Sequence, residues 1–261
     1  MDSFKGILLC SDLDGTLRNS KGEISKENIE AIRYFCDNGG LFTLCTGRNP
    51  SHARALCEKG LIINTALIAL NGAMIYDLEK AAVLYENPID KAELFDVDKF
   101  IEENRQYISD VVFHSIETKS RYAEIGDDKL YKIVFTSKTA EASRCLRSEL
   151  EKRCGDRFFI TNSWPEGLEL LAKSSTKGEC LKRIRKHINC EITKTVCVGD
   201  YENDISMLKA ADLSFAVGNA IPEVKTAADR VTASNNESAL AKIIKMLPLF
   251  PFEEQKNKNL L

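Results

Sequence analysis

The chain contains no apolar run long enough to cross a bilayer, no Cys-x-x-Cys pair, three histidines and one tryptophan. Each scarcity excludes something. Without a spanning run, no membrane segment is expected. His52, His114 and His187 share no common spacing, so no histidine metal centre is expected either. The nine cysteines are an odd number, and Cys10, Cys45 and Cys197 lie inside apolar runs. There a free thiol behaves as a small hydrophobe, which argues against a disulfide framework. The formal net charge of −3 over 261 residues leaves no basic field to recruit nucleic acid or an anionic membrane surface. The basic stretch Lys182 to His187 is interrupted by Ile184 at helical spacing and reads as a solvated helix face. No G-x-x-x-x-G-K-[ST] loop is present and no G-x-G-x-x-G follows a strand-like run. The start, Met1-Asp2-Ser3-Phe4-Lys5, has neither the h-region nor the cleavage site of a secretory signal, so the expected location is cytoplasmic.

What is present is a rhythm. Apolar runs at Ile7–Cys10, Leu41–Cys45 and Leu67–Leu70 alternate with helical patterns at Ser25–Asn38 and from Asn49-Pro50. Ser25 suits an N-cap, Gly39-Gly40 a helix end, and Pro50 a first helical position. Strands and helices alternating on short loops imply βαβ units and a parallel sheet covered on both faces. From about Pro88 to Leu171 the order becomes helix (Lys91–Gln106), strands (Val111–Ser115, Tyr122–Ile125, Tyr131–Thr136), helix (Thr139–Arg153) and strands (Phe158–Asn162, Leu168–Ala172). That is an antiparallel, α+β arrangement inserted into the first. After Lys177 the α/β rhythm returns, and the polar tail after Phe252 is expected to fray. The expected fold is therefore α/β. A Rossmann-like parallel-sheet core spans residues 1–82 and 172–261, with an inserted α+β cap domain at 83–171.

Three apolar runs stop at residues suited to chemistry: Ile7–Cys10 before Asp12, Leu41–Cys45 before Thr46, and Thr195–Val198 before Asp200. In an open parallel sheet, ligands bind beyond the carboxyl ends of the strands, so these residues are expected to meet on one edge. Asp12, Asp14 and Asp200 supply hard oxygen ligands too few to fill an octahedron, the profile of a Mg²⁺ ion that shares its ligands with a phosphate. Such a metal and Lys177 would reverse the field of the acids. Thr46 offers a hydroxyl to a phosphoryl oxygen, and Gly47 allows the backbone to come close. Each motif alone has an ordinary reading: Asp12-Leu13-Asp14-Gly15 as a turn, Lys177 as a surface lysine, Asp200 and Asp204 as helix caps. Trp164 is equally suited to a hairpin, a core, or a ring stacked on a ligand. Arg48 suits either an anionic substrate or an acid partner.

Asp12-Leu13-Asp14-Gly15-Thr16, Cys45-Thr46-Gly47-Arg48, Lys177-Gly178 and Gly199-Asp200-Tyr201-Glu202-Asn203-Asp204 resemble, in order, the four motifs of the haloacid dehalogenase superfamily. The stretch from Gly199 to Asn219 looks like the Cof-type sugar-phosphatase branch. Glu237-Ser238-Ala239 departs from that branch, which often has an Asp-Gly pair there. The resemblance implies a phosphatase acting on a small phosphorylated metabolite, with Asp12 as nucleophile and Asp14 as general acid and base. It implies Mg²⁺ held by the side chains of Asp12 and Asp200 and the backbone carbonyl of Asp14. Thr46, Gly47, Lys177 and Asn203 would bind the phosphoryl group, with Asp204 positioning Lys177. A phosphomutase sharing the phospho-aspartate, a metal-independent dehalogenase and a non-enzymatic sugar-phosphate sensor are the alternatives. The acid at Asp14 argues against the dehalogenase, and a sensor has no need of both Asp12 and Asp14.

Overall fold

Short apolar strands on short connections build the parallel sheet seen in the computed structural model, which describes residues 3–116, 118–119, 121–188 and 190–249. The tail after Phe252 lies outside these residues. The first part of the chain runs β1 (Ile7–Ser11), α1 (Lys26–Asp37), β2 (Leu41–Leu44), α2 (Pro50–Glu58), β3 (Leu67–Ala69), β4 (Met74–Asp77) and β5 (Ala82–Glu86). The inserted part is α3 (Val97–Glu103), β6 (Ile108–His114), β7 (Thr118–Lys119), β8 (Lys132–Ser137), α4 (Ala140–Cys154), β9 (Phe158–Trp164) and β10 (Gly167–Ala172). The last part is α5 (Lys177–Ile184), β11 (Lys194–Gly199), α6 (Ile205–Ala210), β12 (Leu213–Ala216), α7 (Pro222–Ala227), β13 (Arg230–Val231) and α8 (Ala239–Met246).

The core sheet has the order β13-β12-β11-β1-β2 and is parallel throughout. β1 sits between strands from opposite ends of the sequence: Cys10 lies opposite Cys197 on one side and Thr43 on the other. All five residues of β1 are buried, as expected of a strand covered on both faces. Local signals fix the helix starts. Ser25 accepts a hydrogen bond from the Asn28 amide, Thr176 from that of Glu179, and Pro50 opens α2.

The structure departs from the expected elements in four places. β3 joins the parallel sheet through one bridge, Cys45 to Ile68, and then belongs to an antiparallel sheet β3-β4-β5. The chain reverses there because Asn71 takes a left-handed conformation (φ 55°, ψ 31°). The expected helix from Lys91 to Gln106 is divided: Asp90 caps one short turn, and Asp96 caps α3 by accepting from the Lys99 amide. Tyr122–Ile125 is a helical turn ahead of Gly126 (φ +48°), not a strand, and the paired segment is β7. The helix expected from Gly178 to Ile188 stops at Ile184.

The inserted sheet, β7-β6-β8-β10-β9, is antiparallel and two-faced. Phe113, Ile133, Phe135, Leu168 and Leu170 form an apolar cluster with Phe100 of α3 and Leu146 and Leu150 of α4. The alternate residues point the other way. Leu171 and Phe159 join the hydrophobic cluster of the core, so this second face lies on the core. The chain enters and leaves the insert side by side. Asn87 donates its side-chain amide to the hydroxyls of Ser174 (3.0 Å) and Ser175 (2.9 Å), and Ser175 donates back to the Asn87 carbonyl (3.1 Å).

Candidate active site

Beyond β1 the chain makes a wide turn, closed by the Arg18 amide on the Leu13 carbonyl (2.9 Å). Gly15 lies in it with φ +89°, and a Cβ there would fall 2.4 Å from Oδ2 of Asp200. Only glycine lets this turn settle against the loop after β11. Thr16 then donates its hydroxyl to Oδ1 of Asp200 (2.6 Å).

Lys177 is wholly buried, and its ammonium stands 2.6 Å from Oδ1 of Asp12 and 2.6 Å from Oδ1 of Asp204. The other oxygen of Asp204 accepts the amides of Asp200 (2.9 Å) and Tyr201 (3.2 Å). Asp204 is thus saturated by its own loop and by the lysine, and its geometry holds Lys177 against Asp12. Gly199 and Gly178 make the packing possible: a Cβ at Gly199 would strike the Asp204 side chain at 2.5 Å, and one at Gly178 the Ser206 carbonyl at 2.2 Å.

The charges do not balance. Carboxylate oxygens of Asp12, Asp200 and Asp204 lie within 4.8 Å of one another around a single ammonium. Burial raises the Asp12 carboxyl well above its ordinary value, with Lys177 opposing and Asp204 and Asp200 adding to the rise. Burial, then the charge of Asp204, pushes Asp200 up to about 7. Lys177 is raised: its burial is outweighed by Asp12 and Asp204. Two acids held above their ordinary range with lone pairs left over fit a hard divalent cation.

The neighbouring strand ends meet at Asn71, which is 1% exposed. Its amide N–H donates to the Thr46 carbonyl (3.0 Å), and its Oδ1 accepts from Asn203 (3.0 Å). A Cβ at Gly47 would lie 3.1 Å from its Nδ2. Thr46 is buried, and its hydroxyl accepts the Arg48 amide (3.1 Å). The insert also reaches this point: Asn71 donates to Ser163 (3.1 Å) and to Glu169 (2.6 Å), and Asn203 donates to Ser163 (3.0 Å). Farther out, Arg147 of α4 grips both oxygens of Glu202, at 2.7 and 2.8 Å.

Asp12, Asp200, Asp204 and Lys177 are therefore in direct contact or packed within one cluster, while Thr46, Gly47 and Asn203 converge through Asn71. Asp14 differs. Its carboxylate faces Arg48 (2.8 Å) and Arg18 (3.1 Å) and is partly exposed. Burial would raise it, but those two arginines hold it below the ordinary carboxylate range. Trp164 lies over Gly167 across the β9–β10 hairpin, where a Cβ would meet its ring at 2.2 Å, so its position is that of a hairpin residue. Sequence reasoning missed Thr16, Asn71, Ser163, Lys132, Glu169 and Arg147. Of these only Asn71 carried a usable signal, an Asn-Gly pair directly after an apolar run.

The strand order, the acids on the carboxyl edge and the inserted second layer define a phosphoryl-transfer type of α/β hydrolase. The family model for haloacid dehalogenase-like hydrolases matches residues 9–118 and 108–244, and the chain belongs to that family. It is 28% identical to phosphatase YwpJ of Bacillus subtilis, over 92% of this chain and 99% of the relative. It is 31% identical to a second protein of that organism, YcsE, named 5-amino-6-(5-phospho-D-ribitylamino)uracil phosphatase, over 91% of this chain and 94% of the relative. A solved haloacid dehalogenase-like hydrolase from B. subtilis superposes with a TM-score of 0.80 at 27% identity, covering 92% of this chain and 99% of that one. The subclass IIB sugar phosphatase BT4131 shares the fold at a TM-score of 0.77 and 23% identity, covering 93% and 99%. The chain is a phosphatase of the haloacid dehalogenase type.

Proposed function

We propose that the chain hydrolyses a small phosphate monoester of the sugar-phosphate class, with Mg²⁺, through a phosphoryl group carried on Asp12. The observation that supports this most is the buried Asp204–Lys177–Asp12 chain beside Asp200. It aims one carboxylate and one cation at a single point on the sheet edge. The ribityl phosphate in the name of the relative YcsE is consistent with a hydroxylated alcohol as leaving group.

In the first step an Asp12 oxygen attacks phosphorus while the bond to the leaving oxygen breaks and Asp14 gives that oxygen a proton. In the second, Asp14 takes a proton from a water that attacks the phospho-aspartate, and the bond between Asp12 and phosphorus breaks to release phosphate. To do this, the Asp14 carboxyl exchanges Arg48 and Arg18 for the substrate. Lys177, Thr46 and Asn203 place the phosphoryl oxygens, and Asp204 keeps Lys177 in register. Asp12 and Asp200, with the backbone of Asp14, would hold Mg²⁺, which supplies positive charge to the phosphoryl oxygens. The insert, expected at residues 83–171, acts as a cap that excludes water during the first step.

A phosphomonoester screen with Mg²⁺, reading free phosphate, tests the proposal with Asp12→Asn beside it. The expected result is turnover that EDTA abolishes and that falls by about 10⁴-fold or more in the variant. Wild-type turnover in Asp12→Asn refutes the mechanism, and interconversion of sugar phosphates without phosphate release identifies a mutase.

A further inference from the structure

The face of the inserted sheet that lies on the core is polar where it meets the catalytic edge. His114 of β6, Lys132 of β8, Thr161 and Ser163 of β9, and Glu169 of β10 share it, by the alternation of the strands and their register. Lys132 and Glu169 are 3% and 1% exposed and form an ion pair at 3.0 Å. An apolar pair of similar volume would hold two layers together as well as a buried ion pair or better, because both charges must leave water. Stability gives no reason for charge here, whereas a ligand arriving at this face does.

We infer that Lys132 and Glu169 form the subsite that reads the leaving group, and that this group is an uncharged, polyhydroxylated carbon skeleton. The subsite presupposes the phosphoryl-transfer reading above. Its placement comes from Asn71, whose side-chain amide donates to Glu169 at 2.6 Å while its backbone amide donates to the Thr46 carbonyl. One residue thus separates the buried pair from the proposed phosphoryl-binding turn. Its chemistry comes from the balance of groups. The ammonium and the carboxylate cancel, leaving no net charge to match a second phosphate or a carboxylate on the substrate. His114, beside Asn49 at 3.4 Å, is driven down to about 4 by burial and by Lys132, and at neutral pH is an uncharged donor and acceptor. Ser163, Thr161, Asn49 and Asn71 add neutral hydrogen-bonding groups. Nothing planar is offered to a nucleobase by the described residues of this face: Trp164 is spent on the hairpin, and the Tyr131 hydroxyl donates to Glu86 (2.5 Å). A carboxylate accepting two vicinal hydroxyls, with an ammonium donating to a third oxygen, is how such a pair recognises a sugar or polyol.

The test measures kcat/KM with Mg²⁺ for hexose 6-phosphate, pentose 5-phosphate, sorbitol 6-phosphate, fructose 1,6-bisphosphate, AMP and p-nitrophenyl phosphate. The wild type is expected to prefer a neutral sugar or polyol monophosphate over the bisphosphate and AMP by about tenfold or more. Preference for either of the latter overturns the assignment. In Glu169→Gln, the ratio of kcat/KM for the preferred sugar phosphate to that for p-nitrophenyl phosphate should fall by about 10- to 100-fold, as expected for lost hydrogen bonds to a charged group. A ratio within threefold of wild type overturns it. Lys132→Met/Glu169→Leu, which removes both charges together and retains the volume, should fold and show the same loss of ratio. If the wild type hydrolyses no ester, p-nitrophenyl phosphate included, the phosphoryl-transfer reading itself fails and the subsite falls with it. A failure confined to the ratio leaves that reading intact.

Discussion

Replacing Lys177 by methionine removes the one cation among three acids and retains the volume of the side chain. The lysine is fully buried between Asp12 and Asp204, both at 2.6 Å, and Asp204 is itself fully buried. Loss of one partner from a buried pair costs about 3–5 kcal/mol, since the remaining charge has no solvent. In a chain of this size that lowers Tm by about 6–20 °C. The deficit has a defined pH dependence. Asp12 is already raised by burial, and loss of Lys177 raises it further. At neutral pH the ionised acid in the folded variant has no partner, so the deficit is full. As pH falls through the raised value, Asp12 takes up a proton in the folded state and the deficit shrinks. The assay is thermal unfolding of wild type, Lys177→Met, Asp204→Asn and the double variant, with EDTA, near neutral pH and near pH 5. The two single changes should couple by about 1–3 kcal/mol, the double variant regaining stability without activity. A Tm within about 2 °C of wild type at neutral pH, or a deficit that grows on acidification, would refute the reasoning.

Arg48→Ala takes from Asp14 the nearer of its two arginines; its carboxyl should rise, and the alkaline limb of the kcat/KM profile should move to higher pH, whereas an unchanged limb means that Asp14 is not the proton donor. Gly15→Ala places a Cβ 2.4 Å from Asp200, and should weaken activation by Mg²⁺ about 10- to 100-fold in a metal titration of phosphate release. Equal activation curves would show that Asp200 is not a metal ligand. Arg147→Met removes the grip on Glu202; as the pair is part-exposed, the stability cost should be about 1 kcal/mol or less, but amide exchange along β9 and around Asn203 should quicken.

The core was legible because its signals are local. Ser25, Thr176 and Pro50 declare helix starts, and uniformly apolar runs declare strands buried on both faces. The edge residues Asp12, Thr46 and Asp200 followed from the rule that such strands deliver chemistry at their carboxyl ends. What escaped was set by tertiary contact. The Tyr122–Ile125 segment has strand-like composition, yet it ends at a glycine with positive φ and turns. Asp96 divides a helix whose periodicity ran on past it. Lys132 and Glu169 looked like ordinary alternation on a half-exposed sheet, because nothing in the sequence reveals that the second face is covered by the core. Asp14 was placed correctly in the turn, but its pairing with Arg18 and Arg48 depends on how β1 and β2 bring their loops together.

The contact between Asn87 and the serines at 174 and 175 bears on how such a molecule diversifies. An insert that leaves and returns through one hydrogen-bonded point is, for the parallel sheet, a single loop between β5 and α5. The entropy of closing a loop rises only with the logarithm of its length, about 0.6 kcal/mol for each doubling. The sheet is therefore nearly indifferent to what is threaded between those two points. Recombination or drift can exchange the recognition layer wholesale while Asp12, Lys177 and Asp200 stay in place. A minimal chain joining residue 87 to residue 174 by a short turn would retain the same pairing of β1 with β2 and β11.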